Sequence, residues 1–173
     1  MWQHDTVSIV AGMLLGLAVL LLVLASLRDI ATRIVPNGIP LALAAVGIAD
    51  SALHGRLALG LIAGVLVFGF AFLCWRMRWI GGADVKLLGA AALLVPPTAV
   101  ASLVLATAVA GGLLGLLYLL ARRLIAAPPS RGAAARHASL LARVWRAERW
   151  RLHRGCPLPY ACAIACGTLL MLR

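Results

Sequence analysis

Acidic residues are scarce in this chain, which has five Asp and Glu against sixteen Lys and Arg among 173 residues. Charged residues make up only 12% of the sequence, hydrophobic residues make up 64%, and the mean hydropathy is +1.03. A chain of this size with so few charges cannot shield its apolar side chains from water in an ordinary soluble fold. We therefore expect a protein whose surrounding solvent is lipid.

Metal-binding and disulfide patterns are also missing. The four cysteines form no CxxC pair and the four histidines are scattered singly, so we expect no zinc site, no disulfide framework and no cofactor. The net charge of +11 does not indicate nucleic-acid binding, because the basic residues cluster between apolar runs instead of spreading across a fold. The first eight residues lack the basic start of a signal peptide, and we expect the apolar run after them to be a retained membrane span.

Apolar runs predict an all-α, single integral-membrane domain over residues 1–173. A near-continuous stretch from Leu87 to Ala121 would form a helix of roughly 50 Å, longer than a hydrocarbon core of about 30 Å, and Pro96 and Pro97 divide it. The second and fourth spans are short for a full crossing. The result is six transmembrane helices at about 7–27, 39–53, 57–75, 84–95, 98–121 and 156–172.

The distribution of basic residues predicts the orientation. With the N-terminus outside, fourteen Lys and Arg fall on the inner side and only Arg56 and Arg173 on the outer side, which places both termini outside. The long loop 122–155 is then cytoplasmic. Its second half suits either a helix lying on an anionic inner leaflet or an ordinary solvated basic loop, and the sequence does not decide between them.

Among the five acids, two are candidates for catalysis. Asp5 and Glu148 lie in polar flanks, and hydration explains Asp50 near the outer end of the second span. Asp29 and Asp84 are 55 positions apart, yet the predicted topology puts both at the inner face.

Two carboxyl groups held close together do not both ionise easily, so one stays protonated while the other acts as a base. Such a pair activates a water for attack on a peptide carbonyl. The alternative is that Asp29 and Asp84 are unrelated interfacial acids, each balanced by an arginine such as Arg28, Arg33 or Arg78.

Two local motifs favour the catalytic interpretation. Residues 29–37 read DIATRIVPN and residues 81–90 read GGADVKLLGA. They resemble the two aspartate motifs of type IV prepilin peptidases, the second of which is usually written Gly-x-Gly-Asp-Val-Lys. The final span, LPYACAIACG at 158–167, resembles the last helix of the short members that serve Flp (tight-adherence) pili. One departure is Ala83, which stands where the motif has glycine.

This resemblance implies a membrane aspartic endopeptidase of the bacterial cytoplasmic (inner) membrane that cleaves the leader peptide of a prepilin at the cytoplasmic face. Asp29 and Asp84 would be the catalytic acids, and Gly81 and Gly82 would shape the entry for the substrate. The supporting residues would be Lys86, Arg33, Pro36 and Asn37, although Lys86 is also explained by the positive-inside rule.

Two other classes of function stay open at this stage. The chain is alternatively a non-enzymatic membrane subunit of a pilus-assembly or secretion complex, in which the apolar helices only pack. A transporter with a proton relay is a weaker alternative, because its ionisable groups are usually strung through the depth of the membrane.

Overall fold

The computed structural model describes residues 2–125, 144–145, 147–151 and 158–172. Every regular element in these residues is helical, which confirms the all-α expectation for this part of the chain. The helices are α1 (Trp2–Thr32), α2 (Gly38–Leu53), α3 (Leu57–Arg76), α4 (Gly82–Leu94), α5 (Val100–Leu124) and α6 (Tyr160–Met171), with a 3-10 turn at Pro97–Ala99. Residues 144–145 and 147–151 are also helical.

Within the described residues, three helices are long and apolar enough to cross a membrane: Thr6–Thr32, Leu57–Arg76 and Pro97–Leu124. Helices α2 and α6 are apolar but shorter, and α4 has only 13 residues, which is about 20 Å. Large hydrophobic side chains cover the outer faces of the long helices, as expected where lipid is the solvent. They include Met13, Leu20, Val65, Phe70, Leu105 and Leu117.

The breaks between helices follow the local sequence. Val95 is extended, with φ −95° and ψ 153°, as a residue before proline must be, and α4 therefore ends at Leu94. The Pro36-Asn37 pair ends the first loop, and α2 begins at Gly38. Arg33, directly after α1, has a left-handed φ of 58°.

Helix α4 lies at the centre of the bundle, where α2, α3 and α6 pack against it. Nine of its residues are buried, from Val85 to Leu94 with the exception of Lys86. A helix surrounded by others is apolar all round, which explains why α4 shows no polar face. Its neighbours approach closely through glycines, since a Cβ at Gly47 or Gly64 would lie 2.6 Å from the side chain of Leu93.

At one end of the bundle, Asp50 has side-chain partners. It forms an ion pair with Arg56 and lies 3.4 Å from the imidazole of His54. Arg56 also donates to the carbonyl oxygen of Leu94 at 3.3 Å, which ties the α2–α3 turn to the end of α4. Hydration alone was therefore the wrong explanation for Asp50, which takes part in a structural contact.

The predicted loop 122–155 lies largely outside the described residues. Helix α5 extends through its first three residues, and residues 147–151 are helical. For the whole segment, a surface helix and a solvated loop both stay open as predictions.

Candidate active site

The carboxyl group of Asp29 lies in the last turn of α1 and is turned into the bundle, with the residue 7% exposed. Its Oδ2 accepts a hydrogen bond from the backbone N–H of Ala161 at 3.1 Å. Ala161 is the second residue of α6, so its N–H is one of the donors that a helix leaves free at its N-terminus. A negative charge is favourable there, because the helix dipole presents its positive end.

Asp84 is the third residue of α4 and is half-buried. Its Oδ2 accepts from the backbone N–H of Gly81 at 3.2 Å, while its own N–H donates to the carbonyl of Gly81 at 3.1 Å. Gly81 has ordinary extended angles, φ −76° and ψ 149°. A Cβ at Gly81 would lie 2.8 Å from Oδ2 of Asp84, so the glycine provides space for the carboxyl group.

Helix α6 brings the two acids together. It packs against both α1 and α4. Its first turn supplies the N–H that binds Asp29, and Tyr160 in the same turn lies within electrostatic range of Asp84. Asp29 itself acts electrostatically on Asp84. A cleft between the first and fourth helices, which the placement of both acids at one face predicts, stays a prediction; in the structure the start of α6 packs beside both helices.

Neither carboxyl group forms an ion pair with an arginine in the described part of the chain. The ion pairs there involve Glu148 and Asp50, and the hydrogen-bond donors to Asp29 and Asp84 are backbone N–H groups. The alternative of two unrelated acids, each paired with its own arginine, does not describe this arrangement.

Two of the predicted supporting residues contact each other. Lys86 donates from Nζ to Oδ1 of Asn37 at 2.9 Å, and this bond joins the loop after α1 to the first turns of α4. Pro36 is exposed beside them. Gly82 lies against the indole of Trp75, whose Nε1 would be 3.3 Å from a Cβ at that position.

Arg33, another predicted supporting residue, makes its side-chain contacts with Glu148 and Tyr118. Its Nη2 donates to Oε2 of Glu148 at 2.8 Å and to the hydroxyl of Tyr118 at 3.2 Å. Glu148 was expected to be solvated in a polar flank, and that expectation is wrong, because the residue is only 8% exposed. Its carboxylate is surrounded by donors from two arginines and a tyrosine.

Sequence reasoning did not identify Ala161 as part of the site. Ala161 binds Asp29 through its backbone N–H. Every residue except proline has this group, so the side-chain type at position 161 does not indicate the role. Tyr160 stands in the Pro-Tyr pair of the final span, and in the structure this pair lies at the start of α6.

Comparison with protein families decides the relationship of the chain. The model of the type IV leader peptidase family matches residues 9–116. The chain belongs to the type IV leader peptidase family. The matched region contains Asp29, Asp84 and the residues between them, and it ends before residues 147–151 and before α6. Membership in the type IV leader peptidase family supports a prepilin leader peptidase function in general. Comparisons with curated proteins and with solved structures gave no match.

Proposed function

We propose that this protein is an aspartic endopeptidase that removes the leader peptide of Flp-type prepilins, with Asp29 and Asp84 as its catalytic pair. One observation carries the proposal. Two acids 55 positions apart lie within electrostatic range of each other, each oriented by a backbone N–H, with no arginine paired to either in the described residues. Structural acids in an apolar bundle normally have a basic partner, as Asp50 has in Arg56.

The arrangement suits hydrolysis of a peptide bond. One carboxylate takes a proton from a water placed between the pair, and the water oxygen bonds to the carbonyl carbon of the substrate. The other carboxyl group gives its proton to the carbonyl oxygen. When the tetrahedral intermediate collapses, this carboxyl group takes its proton back, the C–N bond breaks, and the first acid protonates the leaving nitrogen.

The proposed setting is the cytoplasmic face of a bacterial inner membrane. All six helices would cross or enter the bilayer, with both termini outside and the loop 122–155 inside, next to anionic lipids. The substrate would be a prepilin whose short leader ends at this face before an apolar helix. A site built from the inner ends of α1, α4 and α6 would contact the prepilin at the point where the prepilin leaves the membrane.

The test is co-expression with a candidate Flp-type prepilin, with leader removal scored by a gel shift. Asp29→Asn and Asp84→Asn keep an oxygen that accepts from Ala161 or Gly81, so the change removes acid–base chemistry and leaves the hydrogen bonds available. We expect each to lower cleavage by at least about 100-fold, because neither amide can transfer a proton. Membrane insertion and detergent-solubilised folding should match those of the unmodified protein.

Asp50→Asn is the matched control, since it makes the same chemical change at an acid outside the pair. It should retain cleavage, although losing the ion pair with Arg56 should lower thermal stability. If both site variants process the prepilin at the unmodified rate, the protease proposal fails and the non-enzymatic subunit becomes the better explanation.

A further inference from the structure

A second polar cluster lies beside the candidate carboxyl pair and is not used in the proposed reaction. Its centre is Glu148, whose carboxylate accepts hydrogen bonds from Arg33 at 2.8 Å, Tyr118 at 2.8 Å and Arg151 at 2.6 Å. We call these four residues the Glu148 cluster. A buried carboxylate is costly unless it is paired and hydrogen-bonded, and here the donors come from three different parts of the chain.

Arg151 connects this cluster to the helix that carries Asp29. Its Nη1 donates to the carbonyl oxygen of Ile30 at 2.8 Å, and its Nη2 donates to that of Ala31 at 3.1 Å. These carbonyls belong to the last turn of α1, where a helix leaves its acceptors without partners. A cation is also favourable at this end of the helix dipole. Arg151 therefore holds the two residues that directly follow Asp29.

Arg33 fixes the same turn from the other side. Its backbone N–H donates to the carbonyl of Asp29 at 2.9 Å, and its φ of 58° is a conformation that non-glycine residues adopt only when their surroundings hold them. Its guanidinium is directed to Glu148 and Tyr118. The charges of Arg33, Glu148 and Arg151 all reach Asp29.

We infer that Glu148 and Arg151 are positioning residues for Asp29. The helical segment 147–151 clamps the end of α1, so that the Asp29 carboxyl group stays on the N–H of Ala161 and in reach of Asp84. The inference rests on the proposed function, and it gives part of the cytoplasmic loop a role in the reaction.

The experiment measures kcat and KM for prepilin cleavage by purified full-length variants, normalised to the monodisperse folded fraction. Arg151→Met keeps an unbranched apolar stem and removes both hydrogen bonds to α1, and Glu148→Gln removes the negative charge that pairs with Arg33 and Arg151. We expect kcat to fall about 10-fold in each, because a small displacement of a catalytic group lowers the rate strongly, while KM stays within about 2-fold. Arg151→Lys should recover most of the loss, since an ammonium still reaches one carbonyl.

Arg123→Met is the matched control, because it removes the same charge from an exposed position in the last turn of α5. It should leave kcat unchanged. The double variant Glu148→Gln with Arg151→Met should be no slower than the worse single variant, since both changes release the same turn of α1.

The outcomes separate the two proposals. If Asp29→Asn is inactive while Arg151→Met and Glu148→Gln keep the unmodified kcat per folded molecule, the positioning role is wrong and the catalytic pair stands. If Asp29→Asn cleaves at the unmodified rate, both proposals fall. A lower melting temperature with unchanged kcat would also overturn the positioning role, because it would show that the cluster only stabilises the fold. Where Arg151→Met does not fold, Glu148→Gln and Arg151→Lys decide the question.

Discussion

At the scale of single residues, Gly81 is the position where one methyl group should disturb the site most directly. Its backbone angles suit any residue, so Gly81→Ala introduces no backbone strain. The new Cβ would lie 2.8 Å from Oδ2 of Asp84 and must displace that carboxyl group. We expect cleavage to fall about 10-fold or more, because catalysis depends on geometry at the level of an ångström.

The control for this variant is Gly38→Ala, at the first residue of α2. A Cβ there meets nothing within 4 Å, so the same substitution should leave cleavage unchanged. Equal activity of the two variants would mean that the position of the Asp84 carboxyl group does not limit the reaction.

The departure at position 83 should have little effect. Ala83 lies in the first turn of α4, outside the left-handed region, so the motif's glycine is not needed there for its backbone freedom. Ala83→Gly should therefore retain activity and lower stability by at most about 1 kcal/mol, the usual cost of glycine in a helix. The measurement is leader cleavage together with thermal unfolding in detergent, and a large gain in cleavage would show that Ala83 restricts the site.

The acidic residues also differ in how much of their environment could be predicted from the sequence. That Asp29 and Asp84 lie near each other was predictable, because each stands in a motif and the predicted topology puts both at one face. The environment of Glu148 was not predictable, because its neighbours are basic and polar and its burial arises from contacts with Arg33 and Tyr118, far away in sequence. Local composition describes the flank of a residue and not its tertiary partners.

At the scale of helices, α5 packs against α6, the helix whose first turn binds Asp29. A Cβ at Gly167 of α6 would lie 2.8 Å from the backbone nitrogen of Thr107 in α5, so the two helix backbones touch at this point. Gly167→Ala must separate them, and we expect it to lower stability by about 1–3 kcal/mol, as overpacking usually does. Cleavage per folded molecule should also fall, because α6 supplies the N–H that holds Asp29.

Gly112→Ala tests whether this effect belongs to the helix interface. Gly112 is on α5, and a Cβ there meets nothing within 4 Å. Thermal unfolding in detergent should show little change for it. A similar loss of stability in both variants would indicate a general cost of alanine in these helices. It would argue against a specific effect at the contact between α5 and α6.

The helices themselves followed from hydropathy and proline, since the apolar runs and the Pro96-Pro97 break correspond to the helices and the turn observed. The central place of α4 was less accessible. Its shortness suggests a thinned membrane or a helix end below the membrane surface. Its burial depends on which helix faces meet, and α2 and α3 approach it closely at Gly47 and Gly64.

At the scale of the whole molecule, the proposed chemistry requires one orientation in the membrane. The ends of α1 and α4 that carry the acids must face the cytoplasm, together with residues 147–151, since Arg151 contacts the end of α1. The fourteen-to-two distribution of basic residues independently predicts the same orientation. If the predicted number of membrane spans were wrong by one, part of this positive charge would lie on the outer side.

Reporter fusions test this orientation. A phosphatase that is active only outside should be silent when inserted near residue 131 and active after residue 173, while a cytoplasmic fluorescent reporter should give the reverse pattern. Fusion between α2 and α3, near Gly55, should give an outside signal, because this turn carries Arg56 as its only Lys or Arg and lies at the end of the bundle away from Asp29. An outside signal from position 131 would put the carboxyl pair on the wrong side of the membrane for a leader that stays in the cytoplasm, and the proposed substrate would then have to be abandoned even if both acids proved catalytic.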